Sequence, residues 1–160
     1  MTIEHYHKKH DGYFEQIWID WLKNTMKIEP QAEDIKEVQN PLNSYILNGG
    51  AAFYATDGEH CIGVVAVKKL NETDYEFCKL VVSEKARGQG LGKKLVQECI
   101  DFVAAQKGNY LYLQSFYKLE IALKMYESMG FIKSEAPVGM NVVKRTEIIM
   151  RKNINLSNKI

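Results

Sequence analysis

The residues of this chain best suited to holding an anion stand at positions 84–95, EKARGQGLGKKL. Gly88, Gly90 and Gly92 alternate with Gln89 and Leu91, and Lys85, Arg87, Lys93 and Lys94 surround the single acid Glu84. A helix that starts near Gly90 leaves its first N–H groups without intrahelical acceptors, and these groups carry partial positive charge. Glycine lets such a backbone take positive φ and come close to a ligand. The chemistry this points to is capture of a pyrophosphate-sized anion at a helix N-terminus. Two familiar phosphate loops do not fit. A Walker A loop needs glycine five positions before Gly92, where Arg87 stands, and serine or threonine where Lys94 stands. A dinucleotide fingerprint starting at Gly88 and Gly90 needs glycine at Lys93, and residues 83–89 are longer than its tight turn.

Other reactive types are scattered. His5 and His7 share a face of TIEHYH, with His10 just beyond, but no carboxylate or cysteine shares that face, so no metal site is expected. Cys61, Cys78 and Cys99 each sit in an apolar stretch without C-x-x-C spacing, which points to buried free thiols in a reducing compartment.

Strong elements flank the glycine-rich turn. YEFCKLVVS reads as a strand, and LGKKLVQECIDFVAAQ places Leu91, Leu95, Cys99, Phe102 and Val103 on roughly one helical face, with Gly108 and Asn109 as its C-terminal stop. YLYLQSF reads as a buried strand and EIALKMYESM as a helix stopped by Gly130. Upstream, TIEHYH is a first strand candidate. A helical stripe runs from Phe14 to Met26, and a short helix follows Pro30. NPLNSYILNGG reads as turns, and AAFYAT and HCIGVVAV form a hairpin through Asp57 and Gly58. FIKSE and VVKRTEIIMRK close the chain as strands. The expected fold class is α/β of the α+β type, a mixed, mostly antiparallel sheet of about six or seven strands flanked by about four helices. The 160 residues, 46% apolar and 26% charged, suit one domain spanning 1–160. A formal net charge of +1 steers the chain to neither nucleic acid nor membrane. No apolar run approaches a membrane span, and MTIEHYHKKH lacks a signal peptide's apolar region, so a cytoplasmic location is expected.

The spacing Arg87-x-x-Gly90-x-Gly92, set between a strand and a helix, resembles motif A of the GCN5-related N-acetyltransferases over about residues 77–106. ALKMYESMGF, within about 110–131, is similar to that family's motif B, and Gly88 and Tyr126 lie 38 residues apart, as an intervening helix and strand require. The resemblance implies an acyl-CoA N-acyltransferase fold. It implies transfer of acetyl from acetyl-CoA, as cosubstrate, to an amine. The cofactor-binding positions would be Leu80, Val81 and Val82 on the strand, and Arg87, Gly88, Gln89, Gly90, Leu91, Gly92 and Lys93 on the loop. The strand would carry a bulge and splay from YLYLQSF, opening a gap for the pantetheine arm, and a backbone N–H near Val81 would polarise the thioester carbonyl.

In that frame Tyr126 matches the family's general acid for the departing thiolate, and Glu76 is the candidate base for the acceptor ammonium. The chain departs from the family at SFYKLEIA, where Phe116 and Leu119 stand in place of a cofactor-contacting asparagine and Ser115 or Lys118 would substitute. Lys79 is read as an exposed lysine, with contact to an acceptor carboxylate as the alternative. The acceptor would be framed by Tyr13, Trp18, Asp20, Trp21 and Glu29 and by APVGMN near residue 136. The expected partner is a small-molecule amine or amino-acid-like metabolite, with no nucleic acid or membrane, acted on by a monomer or homodimer. A protein N-terminus, a non-catalytic CoA-binding sensor and a nucleotide-binding regulatory domain are the competing readings.

Overall fold

The apolar patterns build a seven-stranded sheet in the computed structural model, which describes residues 1–155. The strands are β1 (Thr2–His5), β2 (Ala51–Asp57), β3 (His60–Lys69), β4 (Asp74–Val82), β5 (Tyr110–Ser115), β6 (Ile132–Lys133) and β7 (Ile148–Asn153). Their order is β1-β2-β3-β4-β5-β7-β6. Every pair is antiparallel except β4 with β5. The α-helices among the described residues are α1 (Tyr13–Asp20), α2 (Ala32–Gln39), α3 (Leu91–Ala105) and α4 (Glu120–Ser128). The expected mixed sheet and helix number are therefore met.

Helices cover both faces of the sheet, which is why AAFYA and GVVAV are continuous apolar runs rather than alternating ones. Phe53, Val65, Val67, Phe77, Leu91 and Leu95 pack on the α3 side. Tyr54, Val64 and Ala66 pack with Phe14, Trp18 and Leu22 on the α1 side. The β2–β3 hairpin turns through Gly58, at φ 62°.

Several local expectations shift for identifiable reasons. The helical stripe expected to reach Met26 leaves α-geometry after Asp20, and residues Trp21–Thr25 form a π-helical turn closed by Met26 N–H to Trp21 O at 3.1 Å. NPLNSYILNGG also contains a π-helical turn, Leu42–Ile46, which brings Tyr45 into the α1-side core. Lys107, not glycine, takes the left-handed position after α3, at φ 60°. Gly108 is required for space instead, since a Cβ there would lie 2.6 Å from Val103 Cγ1 and 2.9 Å from Tyr75 Cε1. FIKSE is strand only at Ile132 and Lys133, and β7 begins at Ile148, so residues 142–147 form a crossing segment rather than strand. The histidines pack with aromatic rings: His5 lies beside Phe53, and His10 stacks on Tyr54 at 4.5 Å.

Candidate active site

Two irregularities of β4 create the site. Val64 pairs with Val81 and Ala66 with Cys78, so Lys79 and Leu80 together oppose the single residue Val65. This is a β-bulge, and Lys79 sits in it at φ 56°. Before the bulge Phe77 faces the α3 core. After it Leu80 and Val82 face that side, and Val81 faces the α1 core. The consecutive residues Cys78 and Lys79 thereby line the same cleft. β4 also leaves β5: their parallel pairing covers only Asp74–Glu76 with Tyr110–Tyr112, and the strands part beyond it. The bulge and the splay implied by the resemblance are both present.

The cleft at the parting has a volume of about 130 Å³. Glu76 and Tyr126, 50 residues apart in the sequence, are placed in one lining by β4 and α4. Glu76 is 4% exposed. Burial pushes its carboxyl up from an ordinary 4.5 to about 7, against Lys68, the Gln114 hydrogen bond and Lys79, which favour the carboxylate. Gln114 Nε2 donates to its Oε2 at 3.0 Å. A carboxyl poised near neutrality suits proton abstraction at physiological pH. Tyr126 packs edge-on to Phe77 and Phe131, with centroids at 5.4 and 6.1 Å. Burial raises its hydroxyl well above the ordinary 10, so it keeps its proton and suits a donor role.

One wall of the cleft is a ladder of alternating charges. Arg145 Nη1 meets Asp34 Oδ2 at 3.1 Å, and Lys79 Nζ meets Asp34 Oδ1 at 3.3 Å and Glu37 Oε2 at 2.7 Å. Lys68 completes the ladder on Glu37. Lys79 Nζ also lies 4.9 Å above the Trp18 ring. Burial works to raise both acids, but Arg145 and Lys79 hold Asp34 below its ordinary range, and Lys79 and Lys68 do the same for Glu37. Lys79 is therefore a buried, doubly paired cation, with its side chain 6% exposed, and not the exposed lysine expected. The bulge is what turns it inward.

The loop after β4 has the backbone the sequence required. Gly88 and Gly90 lie at φ 79° and 75°, a conformation that L side chains rarely adopt. Gly90 is the N-cap of α3, and the first amide to close an intrahelical bond is Lys94 N, to Gly90 O at 3.1 Å. Among the described residues no backbone acceptor meets the N–H groups of Gly88 through Lys93. Arg87 Nε donates to Val82 O at 3.3 Å. Ser83 N–H donates to Ile62 O, so by antiparallel alternation Val81 turns its own amide toward β3 and Val82 turns its amide toward the gap. The amide facing the gap near Val81 is thus that of Val82. The side chains of Val81 and Leu91 are core, which leaves only their backbones for ligand contact. A Cβ at Gly92 would make ordinary contacts, the nearest with Met125 Sδ at 3.7 Å.

At SFYKLEIA, Ser115 lines the cleft with its Oγ buried and without a hydrogen-bond partner among the described residues. Free loop amides, an opened strand pair and an orphaned hydroxyl together fit a long ligand with a pyrophosphate at one end. Of the residues expected to frame an acceptor, Trp18 and Trp21 line the cleft, as does Asn141 of APVGMN. Glu29 does not line it, and Tyr13 and Asp20 lie elsewhere, beside Gln16 and Cys61. Sequence reasoning missed Asp34, Glu37, Lys68, Gln114 and Arg145. One signal for Asp34 was available: it stands four residues before Val38, on the stripe that α2 buries.

The family model described as Acetyltransferase (GNAT) family matches residues 6–131. The chain belongs to the GNAT family. Among curated GNAT relatives, a probable N-acetyltransferase camello from Xenopus laevis is 32% identical over 65% of this chain and 48% of its own length. The N-alpha-acetyltransferase RimI of Mycobacterium tuberculosis is 29% identical over 64% of this chain and 60% of its own. The chain spans about half the length of the curated relatives it matches. In fold it is similar to a GNAT acetyltransferase from Staphylococcus aureus, with a TM-score of 0.88 and 19% identity over 96% of this chain and 98% of that one. YncA of Salmonella typhimurium, described with its cofactor acetyl-CoA, matches at a TM-score of 0.77 and 16% identity, covering 96% of this chain and 94% of its own. No helix among the described residues is long and apolar enough to cross a membrane.

Proposed function

We propose that this chain transfers acetyl from acetyl-CoA to the primary amine of a small, polar, amino-acid-like acceptor by direct attack. The observation that carries the reading is the shared cleft: Glu76, near neutrality, and Tyr126, firmly protonated, line it together where β4 and β5 part. The free amides of Gly88 to Lys93 and the side chains of Arg87 and Lys93 would hold the pyrophosphate, and the Val82 amide faces the gap where a thioester carbonyl would lie. Acetyl-CoA supplies an already activated acyl group. The chain's own part is then to align the amine, accept its proton at the Glu76 carboxylate and return one from the Tyr126 hydroxyl. Ser115 offers its unpaired hydroxyl to the cofactor arm in place of the missing asparagine.

The aromatic wall of Trp18 and Trp21 and the charged ladder beside it favour a compact, polar acceptor. An acceptor carboxylate would meet Arg145, whose side chain is 24% exposed, rather than Lys79, which Asp34 and Glu37 already occupy. The name of RimI favours a second reading, acetylation of a peptide N-terminus. Thiol release from acetyl-CoA, measured across free amino acids, polyamines and short peptides, separates the two. Turnover with free amino acids is the expected result. Turnover with peptides alone would replace the acceptor class, and CoA binding without turnover of any amine would leave a sensor.

A further inference from the structure

Gln114 of β5 is held by four hydrogen bonds, the full capacity of its amide. Its Nε2 donates to Glu76 Oε2 at 3.0 Å and to Asn141 O at 2.9 Å. Its Oε1 accepts from Val143 N–H at 3.0 Å and from Thr146 Oγ1 at 2.6 Å. Three of the four partners belong to residues 141–146 of the connection between β6 and β7, which also carries Arg145 on the cleft wall. The two backbone partners fix which way the amide points. A flipped amide would set its oxygen against Asn141 O and its nitrogen against Val143 N–H, two repulsive contacts. The segment therefore determines that Glu76 faces a donor.

We propose that Gln114 is a positioning residue that makes the orientation and hydrogen bonding of Glu76 depend on the seating of residues 141–146 over the cleft. With the segment seated, the amide is locked and Glu76 gains a donor that stabilises its carboxylate. With the segment lifted, the amide is free to turn and that donor is lost. The acceptor wall and the base then form together, so proton abstraction is favoured only when the segment that borders the acceptor is in place. The other charged groups acting on Glu76 stand on other elements: Lys68 on β3, Lys79 on β4 itself and Glu37 on α2.

The inference rests on Glu76 as the base, and its test has a readout that does not. Carboxyl carbon NMR titration of Glu76 in the intact protein, alongside the pH profile of kcat, is measured for wild type, Gln114→Leu and Thr146→Val. A hydrogen bond to a charged group is worth about 1.5–3 kcal/mol, so its removal moves a titration by about one pH unit or more. In Gln114→Leu the Glu76 titration and the acid limb of kcat are expected to move up together by about that amount. Thr146→Val leaves Glu76 and its donor untouched and removes only a segment contact, and it is expected to give a smaller upward shift in the same direction. A Glu76 titration that coincides in wild type and both variants, with the proteins folded, would overturn the inference. A loss of kcat equal at all pH values in both variants, with an unmoved acid limb, would also overturn it, because a purely structural role predicts that. If the NMR titration moves and the acid limb does not, the coupling stands and Glu76 as base fails.

Discussion

Replacing Glu76 by glutamine should alter how stability depends on pH, by an amount that follows from the site. Folding raises this carboxyl from an ordinary 4.5 to about 7, chiefly through burial. The folded chain thus holds the proton more tightly than the unfolded chain. The stabilisation from the neutral acid is complete below about pH 4.5 and is lost as pH rises through about 7. At about 1.4 kcal/mol per pH unit, the rise from 4.5 to about 7 amounts to about 3 kcal/mol. Glutamine has nearly the same shape and no charge to gain, so Glu76→Gln removes this dependence. Asp34 and Glu37 act in the opposite sense, since both are held below their ordinary range and their contribution is lost as pH falls. They are present in both proteins, so a difference between the two isolates Glu76. Urea unfolding followed by the fluorescence of Trp18 and Trp21 gives that difference between about pH 4.5 and 7.5. Wild type should lose about 3 kcal/mol relative to the variant across this window. A difference constant to within about 0.5 kcal/mol would refute the reasoning, because it would mean that burial does not hold the proton on Glu76.

Tyr126→Phe should lower kcat by about 10²-fold or more, the usual worth of a general acid, while calorimetry with CoA shows unchanged affinity and thermal unfolding an unchanged midpoint, since phenylalanine keeps the ring packing on Phe77 and Phe131. Lys79→Met removes the shared central cation of the ladder, leaving Asp34 with Arg145 and Glu37 with Lys68; urea unfolding should show a loss of about 3 kcal/mol, the low end for stripping a buried ion pair of one partner. Gly90→Ala places a side chain at φ 75° and should cost about 1–2 kcal/mol in urea unfolding while weakening CoA binding in calorimetry.

The glycine-rich loop and the helix it opens were legible because their signals are local. Positive φ at Gly88 and Gly90, a helix N-terminus at Gly90 and a preceding apolar strand all leave marks within a dozen residues. The helix that carries Tyr126 was legible in EIALKMYESM. Glu76 was legible as a carboxylate on the right strand, but its near-neutral titration depends on what buries it, and that comes from other elements. The charge ladder was not legible. Asp34 and Arg145 are separated by 111 residues, and no periodicity links them. Lys79 misled for a sharper reason: strand alternation assigns a side chain's face only while the ladder is regular, and the bulge opposite Val65 breaks it at that residue. The π-helical turns were hidden similarly, since their apolar spacing passes for an α-helix at Trp21 and for a loop around Tyr45.

The ladder Arg145–Asp34–Lys79–Glu37–Lys68 has two ends and a middle, and the difference sets where the cleft can be redesigned. Each carboxylate is shared by two cations, so an altered interior member takes a partner from two neighbours at once. An altered end takes a partner from one, which keeps its second. Arg145 and Lys68 are therefore the positions at which the wall can be changed one residue at a time. Asp34, Lys79 and Glu37 have to change as a set. Drift in this wall, in nature or in the laboratory, should begin at its ends.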